Sequence, residues 1–286
     1  MIIMISFIKE LYKLTRFEHA LMLSFAVLIS EIIIFHGLPP LTAPVLLSLL
    51  VPVFSEMGSF SLNDYFDVET DRLNNKKDRP LVKGTISLNF ALYFSVFCHI
   101  LSIVLAFFIN TNSFLISIVF NFLAVLYNYR LKDLPFIGNF YIGLTMGIPF
   151  IFGSLAISNT VSNLSGSLFL LGLVAGIARE IVKSAQDMEG DKKARNSKTL
   201  PILIGKQNSL YLACALYLSF VLLSTMPFYL GIKVNYFSVF LVSISDLIVL
   251  YTIYIISTKP DSSYKLARNL SLVSFFVGMV GILAGI

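Results

Sequence analysis

Two short stretches hold most of the side chains that could do chemistry. The first reads Asn63-Asp64-Tyr65-Phe66-Asp67-Val68-Glu69-Thr70-Asp71-Arg72, the second Gln186-Asp187-Met188-Glu189-Gly190-Asp191-Lys192. Both contain D-x-E-x-D followed by a basic residue, and they lie 120 residues apart. Each is followed by a basic stretch and a glycine: Lys76, Lys77, Arg79, Lys83 and Gly84 after the first, Lys193, Arg195, Lys198 and Gly205 after the second. At helical spacing Asn63, Asp67 and Asp71 stack on one stripe, and Asp64 joins them at i+3 and i+7. Lys183, Asp187 and Asp191 make the equivalent stripe in the second copy. Carboxylates crowded on one stripe repel unless cations neutralise them. Oxygen-only donors suit a hard cation such as Mg²⁺, which typically bridges carboxylates to substrate phosphates. The nearby Lys and Arg make sense if a phosphorylated anion binds between metal and protein. The competing reading of one such motif is a solvated helix face with i, i+4 ion pairs. Two copies at matching positions weigh against it and suggest an internal repeat whose halves face each other.

The composition says where these motifs must sit. The 286 residues are 57% hydrophobic and 13% charged. A soluble domain is about 25% charged, so a water-facing globular enzyme is excluded, as is a disordered chain. Apolar runs near the length that crosses a bilayer recur along the sequence. We place nine spans at roughly 18–38, 42–62, 88–109, 113–129, 136–157, 164–183, 208–228, 234–257 and 266–286. The predicted fold is an all-α membrane bundle, a single domain over 1–286. Two long loops, 63–87 and 184–207, carry the acidic motifs. Alternating the gaps between two sides puts all but Lys233 of the 21 Lys and Arg on the side of the N-terminus. The positive-inside rule makes that side cytoplasmic. The net charge of +5 therefore reads as a basic face against anionic lipid headgroups and an anionic substrate, not as a nucleic-acid surface. The run after Lys9, Lys13 and Arg16 reads as a first span, not as a cleaved signal, because it contains Glu31 and lacks an A-x-A site.

Other polar residues fall near the same face. Tyr127, Arg130 and Lys132 end the fourth span, Arg179, Glu180 and Lys183 the sixth, and Arg16, Glu18 and His19 open the first. Each could equally anchor a helix end at the interface. Glu31, Glu56 and Asp246 lie within spans, where acids usually face a cavity or a partner. The two cysteines read as free thiols, and the three His show no zinc spacing.

At these residues the sequence resembles the UbiA superfamily of intramembrane prenyltransferases. Asn63 to Asp71 fits that family's N-D-x-x-D-x-x-x-D, Asp187 to Asp191 its D-x-x-x-D, and Tyr127 with Lys132 its Tyr/Lys element. The stretches 63–81 and 179–201 are most similar to the archaeal members that add a second geranylgeranyl group to geranylgeranylglyceryl phosphate. Chlorophyll synthases share much of the E-G-D and L-P pattern, and Gln186 departs from it where an acid is expected. The resemblance implies transfer of a prenyl group from its diphosphate, with two Mg²⁺ held by Asn63, Asp64, Asp67 and Asp71 on one side and Asp187 and Asp191 on the other. It implies a lipid-phosphate acceptor, with an aromatic or chlorin acceptor as the alternative. Substrate binding is expected from Asn63, Arg72, Lys76, Arg79, Lys132, Arg179, Lys183 and Arg16, with Lys132, Tyr127, Arg72 and Lys183 the candidates for stabilising the leaving diphosphate. A divalent-cation transporter would spread its acids through the spans, and these cluster at one face.

Overall fold

The computed structural model describes residues 2–195 and 197–286; the side chains of residues 2–4, Ala194 and Arg195 lie outside that description. Among the described residues, nine helices are long and apolar enough to cross a membrane. In chain order the helices are α1 (Ile2–Thr15), α2 (Phe17–Phe35), α3 (Ala43–Leu73), α4 (Pro80–Lys83), α5 (Leu88–Phe107), α6 (Thr111–Tyr129) and α7 (Ile137–Ile157). They continue with α8 (Asn163–Arg195), α9 (Leu200–Ile204), α10 (Lys206–Leu223), α11 (Met226–Tyr229), α12 (Tyr236–Thr258) and α13 (Pro260–Leu283). Asn110 and Asn235 cap α6 and α12 by accepting from the backbone N–H three residues on, which satisfies one of the donors a helix start leaves over.

The outside of the bundle is apolar. Tyr93, Phe97, Phe107, Phe122, Leu222 and Phe240 are all exposed, as a lipid-facing surface requires. Polar groups within the spans are answered internally. Ser48 donates to Glu31. Ser224 donates to Asp246 at 2.8 Å. His99 meets Asn121 at 2.6 Å. The second oxygens of Glu31 and Asp246 are buried without a partner. Cys98 and Cys214 are free thiols.

Glycines let several helices approach closely. A Cβ placed on Gly147 of α7 would stand 2.6 Å from the Phe169 carbonyl, and one on Gly172 of α8 would stand 2.6 Å from the Met146 carbonyl. This is the small-residue packing that membrane helices use for close approach. On the other side, Gly58 of α3 lies against the Ser95 carbonyl and Cys98 of α5.

Two expectations are corrected. The acidic motifs are not in loops: α3 runs on to Leu73 and α8 to Arg195. The spans were ended at bilayer thickness, but no proline falls between Pro52 and Pro80 and the helix runs on until Asn74 and the left-handed Asn75; a helix need not stop where the hydrocarbon does. Gly190, the one weak point in the second motif, abuts Asn74, whose side chain would clash at 2.2 Å with an added Cβ. Second, a further helix, α1, precedes the first span. It packs through Leu14 against Val68, Leu81, Ile86 and Ala91, and the chain turns into α2 at Arg16, which adopts a left-handed φ of 45°.

Candidate active site

The extended ends of α3 and α8 bring the two acidic stripes to one pocket of about 480 Å³. Asn63, Asp67, Asp71, Lys76, Arg79, Tyr127, Lys132, Lys183, Asp187 and Asp191 all line it. The left-handed turn at Arg16 delivers its guanidinium to Asp64, at 2.8 Å. Arg79, at the start of α4, reaches the same Asp64 oxygen at 2.7 Å and Asp71 at 3.8 Å. Gly84, with φ 74°, ends α4 in the conformation only glycine adopts freely. That single turn of helix therefore serves to hold Arg79 in place.

Lys76 joins the two motifs. Its ammonium lies 3.1 Å from Asp71 and 2.8 Å from Asp187. Burial pushes its pKa down, but the Asp187 and Asp71 carboxylates outweigh that, and the net shift is upward from the ordinary lysine value. Lys132, in the short turn Leu131–Asp133 after α6, lies 2.5 Å from Asp67. Asn63 donates to Asp67 at 2.9 Å and to Asn128 at 3.0 Å. Tyr127 donates to Glu180 at 3.1 Å, and Lys183 donates to the same oxygen at 2.7 Å. The turn carrying Lys132 is fixed from the far loop, where Ser197 donates to Asp133 at 2.6 Å.

Most of the expected residues therefore line this pocket; Asp64 sits behind it against Arg16 and Arg79, Arg16 and Arg179 line the neighbouring cavity, and Arg72 is outside both. Arg72 points outward, 54% exposed, and pairs with Glu69 at 2.6 Å. At 100° per residue it stands on a different side of α3 from Asp67 and Asp71, so a position directly after the motif is not a position in the site. The second basic stretch also faces away: Lys192, Lys193 and Lys198 are exposed, and the side chain of Arg195 is outside the described residues. Glu180 has a larger part than its sequence position suggested, since it orients both Tyr127 and Lys183. Arg268 and Asn128 carried no motif signal.

The pocket opens into a larger cavity of about 1150 Å³, and Asn63, Tyr127, Glu180 and Lys183 border both. Arg16, His19, Arg179 and Arg268 line this cavity's polar end. Glu56 and Tyr141 lead on into a third, mostly apolar space of about 540 Å³ lined by Val51, Ile116, Ile148 and Phe152. Pro52 and Pro149 border it as well, inside α3 and α7. A charged mouth thus continues into an apolar channel between helices.

The donor set fits a hard divalent cation. Every acidic group is oxygen, and Asp64 Oδ2 is buried without a hydrogen-bond partner, although that carboxyl is only 1% exposed. A buried oxygen left unsatisfied is costly unless something completes it. Among the described residues no three acidic, His or Cys groups close on one point. Asp67, Asp71, Asp187 and Asp191 instead border one pocket together with Lys76, Arg79, Lys132 and Lys183, the mixed lining that suits a Mg²⁺ ion shared with substrate phosphates.

Residues 21–280 match the UbiA prenyltransferase family. The chain belongs to that family. It is 38% identical over 282 residues to the digeranylgeranylglyceryl phosphate synthase of Methanococcoides burtonii, covering 94% of this chain and 99% of that one. It is 34% identical over 276 residues to the synthase of the same name from Thermococcus kodakarensis, covering 96% and 97%. A solved structure described as concerning digeranylgeranylglyceryl phosphate synthase in membranes superposes with a TM-score of 0.73 at 32% identity, covering 98% of each chain. A UbiA homolog from Archaeoglobus fulgidus, bound to GPP and Mg²⁺, shares the fold with a TM-score of 0.65 at 22% identity, covering 96% of this chain and 99% of that one. This UbiA member is thus an all-helical, multi-pass membrane prenyltransferase.

Proposed function

We propose that the chain is a single-domain transferase that moves a geranylgeranyl group from its diphosphate to the free hydroxyl of geranylgeranylglyceryl phosphate. The product is a diether lipid precursor, and pyrophosphate is released. The observation that carries this reading is the meeting of two acidic stripes, cross-linked by Lys76, at the mouth of an apolar channel. The relatives that bear the synthase's name cover nearly the whole chain, which supports the choice of acceptor.

Mg²⁺ held among Asn63, Asp64, Asp67, Asp71, Asp187 and Asp191, as two ions, would supply positive charge to the departing diphosphate oxygens. Lys132, Lys76, Arg79 and Lys183 stand where they can bind the remaining anionic oxygens. Tyr127, oriented by Glu180, is a neutral hydroxyl aimed at the same pocket. As the allylic C–O bond breaks, its electron pair leaves with the diphosphate. The hydroxyl oxygen then bonds to the allylic carbon and releases its proton. Fixed charges aimed at the departing group are worth most where water is excluded, and burial between α3 and α8 provides that. The prenyl chain lies along Val51, Ile116, Ile148 and Phe152. Charge placement supports a cytoplasmic position for the N-terminus and the active site, with both lipid substrates reached from the surrounding membrane lipid.

The test is incubation of purified protein with Mg²⁺, labelled geranylgeranyl diphosphate and competing acceptors. Label should enter the glyceryl phosphate lipid in preference to aromatic or chlorin alcohols and acids. Preferential labelling of an aromatic acceptor overturns the acceptor assignment while leaving prenyl transfer intact.

A further inference from the structure

Arg179 of α8 and Arg268 of α13 line the large cavity beside the diphosphate pocket, and neither is occupied by an acid. Among the described residues, no carboxylate lies within ion-pair distance of either guanidinium. Arg179 donates through Nε only to the backbone carbonyl of Arg268, at a long 3.4 Å. Arg268 donates through Nη1 to the neutral amide of Gln186 at 2.9 Å, and its own Nε is buried with no partner. Of the nearby acids, Glu180 and Asp64 are already engaged, and Glu56 on the same cavity wall makes no ion pair with either guanidinium among the described residues. Glu180 receives Tyr127 and Lys183, and Asp64 receives Arg16 and Arg79. Gln186, the departure from the acidic pattern, leaves the charge of Arg268 standing.

Two adjacent guanidiniums over a cavity, neither held in an ion pair, repel each other and are placed to take an anion. Forked guanidiniums match phosphate oxygens two at a time. Their place is set by the helix. Arg179, Lys183 and Asp187 follow one another at i+4 on α8, so Arg179 stands about 12 Å along the axis from Asp187. A second phosphate held there would not compete with the diphosphate for the same charges.

We infer that Arg179 and Arg268 form the seat of the acceptor's phosphate monoester, and that this seat selects phosphorylated over neutral glyceryl lipids. The assignment rests on the acceptor proposed above. A phosphate held by the pair leaves the glycerol hydroxyl, a few bonds away, beside Lys183 and the departing group.

The experiment compares geranylgeranylglyceryl phosphate with the same lipid lacking its phosphate, using the full-length protein in detergent. The wild type should prefer the phosphorylated acceptor strongly, and free inorganic phosphate should compete with that acceptor. Arg268→Gln and Arg179→Gln should each raise the acceptor KM by about 10- to 100-fold. The KM for geranylgeranyl diphosphate should stay within about twofold, which also reports that each variant is folded. Arg268→Lys should recover part of the loss. Asn269→Asp adds a carboxylate on the same cavity wall. It should raise the acceptor KM severalfold without removing a guanidinium, and it supplies the answer if a glutamine variant does not fold. Preference for the phosphorylated lipid that survives Arg268→Gln and Asn269→Asp overturns the seat. Failure of the wild type to prenylate either glyceryl lipid overturns the acceptor reading together with it.

Discussion

Asp64→Asn removes one charge and nearly no volume, at a residue whose two oxygens have opposite surroundings. One oxygen takes Arg16 and Arg79, at 2.8 and 2.7 Å. The other is buried and has no hydrogen-bond partner. A charge-assisted hydrogen bond is roughly twice as strong as a neutral one, at about 1.5–3 kcal/mol. Making both neutral costs about 2–3 kcal/mol. That loss is the structural share, and it should appear as a lower thermal midpoint in detergent without Mg²⁺. The second oxygen makes a separate contribution. At a Mg²⁺ concentration about a hundred times its dissociation constant, the wild type gains about 2.7 kcal/mol of stability, and the variant should lose most of that gain. Prenyl transfer should fall by at least about 100-fold. Following the midpoint against Mg²⁺ concentration, alongside product formation, separates the two shares. A variant that loses stability without Mg²⁺ yet keeps the wild-type Mg²⁺ response and rate refutes the reasoning about the second oxygen.

Lys132→Ala leaves Asp67 without the ammonium at 2.5 Å. It should raise the KM for the prenyl diphosphate by about 30-fold, a loss near 2 kcal/mol, with a smaller change for the acceptor; steady-state kinetics with each substrate varied checks the split. Arg72→Ala, on the outer side of α3, should change the rate by less than about twofold, because an exposed pair contributes about 0–1 kcal/mol. Ile148→Trp narrows the apolar channel and should cut transfer from a 20-carbon donor by at least about tenfold relative to a 10-carbon donor, measured with the two diphosphates in competition.

How far the sequence carried these conclusions depended on the period of each signal. The carboxylates repeat at the helical spacing, so the stripe of Asn63, Asp67 and Asp71 was legible before its surroundings were. The spans were legible because apolar runs have a physical length. The ends of α3 and α8 were misread because hydrophobicity reports where lipid ends, not where backbone hydrogen bonding ends. Arg72 was misassigned because adjacency in sequence turns a side chain by about 100° on a helix. Arg268 was invisible, since its place beside Arg179 depends on the packing of α13 against α8. Helix α1 was hidden by its closeness to the first span, from which the left-handed Arg16 separates it.

The glycine contacts have a mechanical consequence. Side chains can slip past one another by changing rotamers, but backbone against backbone cannot. The pair α7–α8, joined along Gly143, Gly147, Gly172 and Gly176, is therefore a stiff support for the second motif. That support carries Asp187 and Asp191, while Asn63 to Asp71 stand on α3. Lys76 is the tie-rod between the two, holding Asp71 and Asp187 at once.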